Sequence, residues 1–194
     1  MTADDIPADF WRFLREDCGF ADGAWTERSP VQLPPTARRL LDHPNDMTST
    51  LAEYYGGPLG VEVLQDLRRE DFYLREVFLR SSATGGIVEY GVIAIAFEQF
   101  EASEQASILE GRTPMGALLH RFRIPFVSAP IGFFSLVGEA LARSRLAAMG
   151  APVCHGRFNR LGKPGGEPLA WIMEILPGDG SDPATRPPAS FRSG

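Results

Sequence analysis

The residues best suited to chemistry are two charged side chains that the sequence places among apolar neighbours. Side chains alternate between the two faces of a β-strand, so in YLREVFLR (73–80) Arg75 shares a face with tyrosine, valine and leucine. In EPLAWIMEIL (167–176) Glu174 shares a face with alanine and isoleucine. A guanidinium in such a place can hold a carboxylate, and a carboxyl there can hold or deliver a proton. The two residues therefore predict an anchor and an acid for one small anionic molecule.

A structural role for the same two residues stays open. An unpaired buried ion is costly, so Arg75 and Glu174 could instead pair with each other or reach solvent at an edge of the sheet. Several other kinds of site are disfavoured, because the sequence has no GxxxxGK[ST], no GxGxxG after a strand and no GxSxG. The two cysteines lack CxxC spacing and the three histidines form no helical metal pair, so no metal site is expected.

Charge and hydropathy limit the possible partners. The net charge of −6 provides no basic surface for nucleic acid, whose binding depends on neutralising phosphates. The longest uncharged run, 124–138, contains two prolines and is shorter than the roughly 20 apolar residues that span a membrane. The first residues alternate acidic and aromatic side chains and lack the order of a signal peptide. We expect a cytoplasmic protein that binds neither nucleic acid nor membrane.

Hydrophobic periodicity divides the chain into helices and strands. Helices are predicted at 8–17, 36–42, 46–56, 101–111, 113–122 and 135–149. Strands are predicted at 61–67, 73–80, 86–97, 152–161 and 167–176, with a further extended segment at 123–131. Because these elements are grouped rather than regularly alternating, they predict a single α+β domain with an antiparallel sheet. The almost wholly polar segment 178–194 is predicted to be a disordered tail.

Four segments, in chain order, resemble motifs of the chorismate lyase family. They are DMT (46–48), YLREVFL (73–79), TPMGALL (113–119) and the hairpin from GRFNRL to GEPLAWIMEILP (156–177). The second segment is similar to the Leu-Arg-Glu strand of that family, and the third to its Thr-Pro-Leu-Gly turn into a helix. The resemblance implies that residues 1–177 form a chorismate lyase-like domain. Its sheet would have about six antiparallel strands, with helices on one side that enclose a buried ligand cavity.

The resemblance also implies roles for individual residues. Arg75 would bind the carboxylate of a ring, and Glu174 would act as a general acid at the other end of that ring. Backbone amides at two helix starts would help to bind the anion, since helix N-termini favour negative charge. The binding positions at these starts are Met47, Thr48, Met115 and Gly116. The family reaction converts chorismate to 4-hydroxybenzoate and pyruvate, and it needs no metal or organic cofactor.

One position departs from the family pattern. The ubiquinone-pathway enzymes of the family carry a second pocket arginine where this sequence has Val92, which would contribute an apolar wall instead. Arg157 and Arg160 are possible replacements for that arginine, but strand alternation allows only one of them to point inward. We assign Arg157 to the substrate-binding set.

Three functions follow as hypotheses. The first is a carbon–oxygen lyase, a chorismate pyruvate-lyase that acts on a carboxylated ring. The second is a cyclase or pericyclase of secondary metabolism that uses the same cavity for a larger, polyketide-like substrate. The third is a non-enzymatic domain that binds a small effector, since transcription regulators carry sensors of this fold. Against the third stand an acidic chain and an N-terminal segment of about 45 residues that is too short and proline-broken for a winged helix.

Overall fold

The computed structural model describes residues 6–138, 141 and 145–178. Its centre is one antiparallel sheet of seven strands in the order β1-β5-β6-β7-β4-β3-β2. The strands are β1 (Thr26–Arg28), β2 (Leu59–Arg68), β3 (Phe72–Ser81), β4 (Ile87–Ala96), β5 (Val127–Val137), β6 (Val153–Gly162) and β7 (Pro168–Pro177). The predicted α+β class with an antiparallel sheet is confirmed, with seven strands in place of about six. The added strand is β1, whose three residues are too few to show an alternating pattern.

Five α-helices accompany the sheet in the described residues. They are α1 (Ala8–Arg12), α2 (Pro35–Leu41), α3 (Met47–Tyr55), α4 (Ala102–Leu109) and α5 (Met115–Arg121). A π-helical turn, Phe13–Asp17, continues α1. None of the helices in the described part of the chain is long and apolar enough to cross a membrane.

The predicted helix at 135–149 is wrong in its first part. Residues 135–137 are the end of β5, and Ser135 and Leu136 pair with His155 and Cys154 of β6. Pairing with β6 therefore outweighs the helical composition of this stretch. A 3₁₀ helix, Arg145–Met149, occupies its end. Residues 139–140 and 142–144 lie outside the described residues, as does 179–194, on which nearly all of the predicted disordered tail falls.

The sheet buries both of its faces. One face packs against the N-terminal segment, where Phe10, Phe13 and Leu14 join a cluster that includes Tyr90 and Phe158 of the sheet. The opposite face carries α2 to α5, so four of the five described α-helices lie on one side of the sheet and α1 lies on the other. Strand alternation assigns each residue to a face, and Val92 and Met173 belong to the N-terminal side.

The face under α2 to α5 has two separate apolar clusters. Residues of α4 and α5, such as Ile108 and Leu119, pack on Ile95 of β4. Residues of α2 and α3, such as Leu41 and Leu51, pack toward the other end of the strands. Between these clusters the inward positions are occupied by charged side chains: Arg75, Glu89, Arg157 and Glu174 are all at most 4% exposed. The candidate site lies in this charged band.

Candidate functional site

A cavity lies between the sheet and the N-terminal ends of α3 and α5. Its floor is formed by inward residues of β2, β3, β4, β6 and β7. Its charged and glycine positions are Asp46, Arg75, Glu89, Gly91, Gly116 and Glu174. The cavity has a free volume of about 50 Å³, and the whole void, with its open mouth included, is about 510 Å³. This is room for a few water molecules or a small ligand.

Arg75 is the cation of this cavity. Strand β3 places it opposite Ile93 of β4, and its side chain is 2% exposed. Within the described residues, its Nε has no hydrogen-bond partner, and its Nη1 makes one long contact of 3.4 Å to the carbonyl oxygen of Ile108. Burial lowers the pKa of this guanidinium, while Tyr73 and Asp66 raise it. A guanidinium remains protonated in proteins, so Arg75 is a buried charge with an unused donor.

Glu174 lines the same cavity, but its carboxylate is engaged by Arg157. The two residues are directly opposite on β7 and β6, and the Nε of Arg157 donates to Oε2 of Glu174. The remaining donors of Arg157 bind main-chain oxygens of the α2–α3 connection: Leu41 at 2.7 Å, His43 at 3.0 Å and Asn45 at 3.3 Å. Arg75 and Glu174 therefore do not pair with each other, which was the structural alternative that the sequence left open.

Glu89 is a second carboxyl of the cavity, and the sequence analysis missed it. It lies on β4 opposite Leu79, and its Oε2 has no hydrogen-bond partner among the described residues. Burial, followed by the nearby charge of Glu174, raises its pKa well above the ordinary value, and only Arg157 acts in the opposite direction among these charges. Burial therefore favours the neutral form of the Glu89 carboxyl more than in an ordinary glutamate. In the sequence, Glu89 is recognisable as an acidic residue within an apolar strand, on the strand face that also carries Gly91 and Ile93.

Asp46 connects the two helix ends above the cavity. Its Oδ1 accepts the backbone N–H of Ser49 at 2.9 Å, which makes it the N-cap of α3. Its Oδ2 contacts Nε2 of His120 on α5 at 2.9 Å. Asp46 and His120 also line an open cleft of about 660 Å³ on the outer side. The Asp46–His120 contact therefore separates the cavity from the outer cleft.

Gly116 allows this close approach of α5 to α3. A Cβ at this position would lie 2.2 Å from Oδ1 of Asp46 and 3.0 Å from Cβ of Thr48. Any side chain there would push the two helix starts apart.

Six of the eight site residues predicted from the sequence line this cavity. They are Met47, Thr48, Arg75, Met115, Gly116 and Glu174. Val92 does not: it is fully buried on the opposite face of the sheet, because its neighbours Gly91 and Ile93 occupy the inward positions. Arg157 points inward as predicted, while Arg160 bonds the carbonyl of Gly166 near the surface. Arg157 nevertheless does not line the cavity, since its donors are used by Glu174 and the α2–α3 connection.

Other reactive side chains lie away from the cavity. Cys154 is buried, and desolvation raises the pKa of its thiol to about 12, which suits a packing role. Among the described residues, no group of three or more His, Cys, Asp or Glu is arranged to hold a metal ion.

Solved structures share this fold at low sequence identity. The effector domain of PhnF from Mycobacterium smegmatis matches with a TM-score of 0.51 and 13% identity, over 70% of this chain and 90% of that domain. PhnF from the same organism matches with a TM-score of 0.54 and 13% identity, over 88% of this chain and 78% of that chain. The C-terminal domain of the histidine utilization repressor from Pseudomonas syringae pv. tomato matches with a TM-score of 0.40 and 11% identity, over 70% of this chain and 99% of that domain, which is too low to carry an argument.

No family model matches the sequence, and no curated protein matches it significantly. The likeness to the solved structures is one of fold alone. The resemblance seen in the sequence is supported at the level of the fold, and no specific enzyme family is confirmed.

The predicted enzyme activity is wrong. The expectation was a chorismate pyruvate-lyase, or alternatively a cyclase, but the matched structures with a TM-score above 0.5 are PhnF and its effector domain. The physical weakness of the prediction lies at Glu174, which was assigned as the general acid. Its Oε2 accepts from Nε of the buried Arg157, so this carboxyl group is engaged in an ion pair and is not free to act on a ligand.

Proposed function

We propose that this chain is a non-catalytic domain that binds a small anionic molecule in the cavity under α3 and α5. The observation that carries the proposal is the guanidinium of Arg75. It is buried on the cavity floor, and its Nε has no partner in the described part of the chain. Glu174 is engaged by Arg157, and Asp66, opposite Arg75 on β2, is exposed and accepts a hydrogen bond from Tyr73. A buried cation with an unbonded donor is costly to keep, and an anionic ligand would supply a close partner.

The start of α3 supports the same site. Met47 and Thr48 occupy the first turn of this nine-residue helix and line the cavity. The amides of a first turn have no acceptor within their own helix, and the helix dipole makes this end favourable for negative charge. Asp46, the nearby carboxylate, is already occupied by Ser49 and His120.

The size of the cavity favours a small ligand. About 50 Å³ of free space is far below the several hundred Å³ of most drug-sized ligand sites. A larger molecule would have to separate α3 from α5, at the contact between Asp46 and His120. A ligand that moves these two helices would couple binding to conformation, which is the property that a sensor needs.

The fold comparison supports a binding domain over an enzyme. The PhnF structures that exceed a TM-score of 0.5 include one described as an effector domain. Carried to this chain, that description fits a domain with a buried cation on the floor of a small cavity.

The test is anion binding by calorimetry and by thermal shift, with hexanoate, benzoate and inorganic phosphate as probes. Wild type should bind at least one of them, and saturation at about 100 times Kd should add roughly 2.7 kcal/mol of stability. Arg75→Met keeps the side-chain volume and removes the charge, so it should abolish the binding. The matched control is Arg80→Met on the same strand, where Arg80 forms an exposed ion pair with Glu62 and a long hydrogen bond to the carbonyl oxygen of Gly85. Equal binding by wild type and Arg75→Met, or no binding of any probe to wild type, would overturn the proposal.

A further inference from the structure

The cavity contains a second buried polar group without a partner. In the described residues, Oε2 of Glu89 and Nε of Arg75 are the two lining atoms that are both fully buried and unbonded. The other charged lining residues have partners: Glu174 pairs with Arg157, and Asp46 contacts His120. The cavity thus contains one cationic and one acidic group, each with a buried atom that makes no hydrogen bond to the described residues.

Arg75 and Glu89 do not satisfy each other. Glu89 is opposite Leu79, and Leu79 is four residues beyond Arg75 on β3, which separates the two positions by roughly 13 Å along the strand direction. They therefore stand toward opposite ends of the cavity floor. A molecule that satisfies both must carry two different polar groups, one at each end.

From this arrangement, and resting on the proposed function, we infer that the ligand is a small zwitterion whose anionic group binds Arg75 and whose ammonium group binds Glu89. The surroundings of Glu89 favour a cation there over a neutral acceptor. Glu174 and Asp46 are its acidic neighbours, and the one close cation, Arg157, is neutralised by Glu174. The same neighbours and burial raise the pKa of Glu89, so an incoming ammonium would displace the proton to solvent and leave an ion pair.

The ligand class inferred for the proposed site is that of ω-amino acids or aminoalkyl phosphates. The two classes share the required chemistry, which is an anion and an ammonium joined by a short chain. Replacing the ammonium by a methyl group gives isosteric probes that keep only the contact with Arg75. The probe pairs are β-alanine and butyrate, 4-aminobutyrate and pentanoate, 5-aminopentanoate and hexanoate, and 2-aminoethyl phosphate and propyl phosphate.

The experiment is calorimetric titration of wild type, Glu89→Gln and Arg75→Met with each pair. In wild type, the ammonium member of the best-fitting pair should bind about tenfold or more tightly than its methyl isostere, since each probe ammonium gains a buried charge-assisted contact. Glu89→Gln should reduce this ratio to about one and leave the affinity for the methyl isostere unchanged. Titration in two buffers of different ionisation enthalpy should show proton release with the ammonium probes only.

Each other outcome has a definite meaning. If methyl isosteres bind to wild type and not to Arg75→Met, but the ammonium brings no gain in any pair, the zwitterion is refuted while the anion site stands. The zwitterion is also refuted if Glu89→Gln keeps the full gain, or if 5-oxohexanoate, which offers a neutral acceptor, binds more tightly than 5-aminopentanoate. If no member of any pair binds to wild type, both proposals fall. Glu89→Leu serves as a second variant, and its circular dichroism verifies that loss of binding is not loss of fold.

Discussion

Arg157 and Glu174 face each other across β6 and β7 and form a buried ion pair beneath the α2–α3 connection. The pair has two consequences for the cavity. It engages Oε2 of Glu174, and through the carbonyl groups of Leu41, His43 and Asn45 it fixes the segment that leads into α3. Within the described residues, Arg75 makes no hydrogen bond to a carboxylate; Asp66, opposite it on β2, is exposed and accepts from Tyr73.

Breaking this ion pair should strongly destabilise the fold. Arg157→Met leaves Glu174 as an uncompensated buried carboxylate and frees the carbonyl groups of the α2–α3 connection, so the free energy of unfolding should fall by about 3–5 kcal/mol. The double variant Arg157→Met/Glu174→Met should recover a large part of that loss. Urea denaturation measures both, and Arg80→Ala is the control for an exposed ion pair. A single variant no less stable than the double would contradict the account.

Glu89 should make the fold less stable as the pH rises. Its pKa is raised in the folded state, so the folded protein binds more protons than the unfolded chain, and stability decreases with increasing pH above the ordinary pKa of a glutamate. Glu89→Gln removes this dependence and should therefore stabilise the protein more at pH 8 than at pH 4.5. Urea denaturation at the two pH values gives the difference, with the exposed Glu53→Gln as the control. A gain that is the same at both pH values would show that Glu89 is ionised as easily in the fold as in the unfolded chain.

Asp46 should be replaceable by asparagine but not by alanine as far as stability is concerned. Asparagine can accept the N–H of Ser49 as an N-cap, whereas alanine leaves it unsatisfied at a cost of about 1 kcal/mol. Asp46→Asn should lose the charged partner of His120 and still keep most of the stability of wild type. Thermal denaturation of the two variants checks the order. Equal destabilisation would mean that the contact with His120, rather than the cap, is the main contribution of Asp46.

Gly91 should control the free space of the cavity. A Cβ at this position would lie 3.2 Å from Cγ2 of Val77 and 3.3 Å from Oε1 of Glu89, so alanine occupies space that a ligand needs. Gly91→Ala should fold but bind the anionic probes about tenfold or more weakly, since van der Waals overlap in a closed site is not relieved. Gly60→Ala on β2, where a Cβ would meet no atom within 4 Å, is the matched control. Unchanged affinity in Gly91→Ala would place the ligand elsewhere.

The pattern of the sequence was sufficient for the main strands and for the inward positions on them. The alternation in β3 and β7 puts Arg75 and Glu174 on one face and in one cavity, as two-residue periodicity requires. The N-cap at Asp46 and the end of α3 at Gly56, with φ of 71°, also follow from local chemistry. These features depend on neighbouring residues, which is why the sequence reveals them.

Contacts between strands could not be predicted from the sequence in this way, because they depend on which strands become neighbours. The partner of Glu174 is determined by the register of β6 against β7, and nothing within either strand specifies that Arg157 stands opposite. The family-like motifs do not include Glu89; on β4 they point to Val92, which strand alternation places on the other face. Family-like motifs indicated the fold, but the chemical state of the carboxyls depends on the pairing between strands.

The binding of an anion by Arg75 can be observed directly at its Nε–H by two-dimensional ¹H–¹⁵N NMR. The account predicts one arginine Nε–H signal that is absent from Arg75→Met and shifts on titration of wild type with hexanoate or 5-aminopentanoate, whereas the Arg157 signal stays in place. If a probe binds while that signal does not move, the cation on the cavity floor is not the anchor, and the proposed site is contradicted.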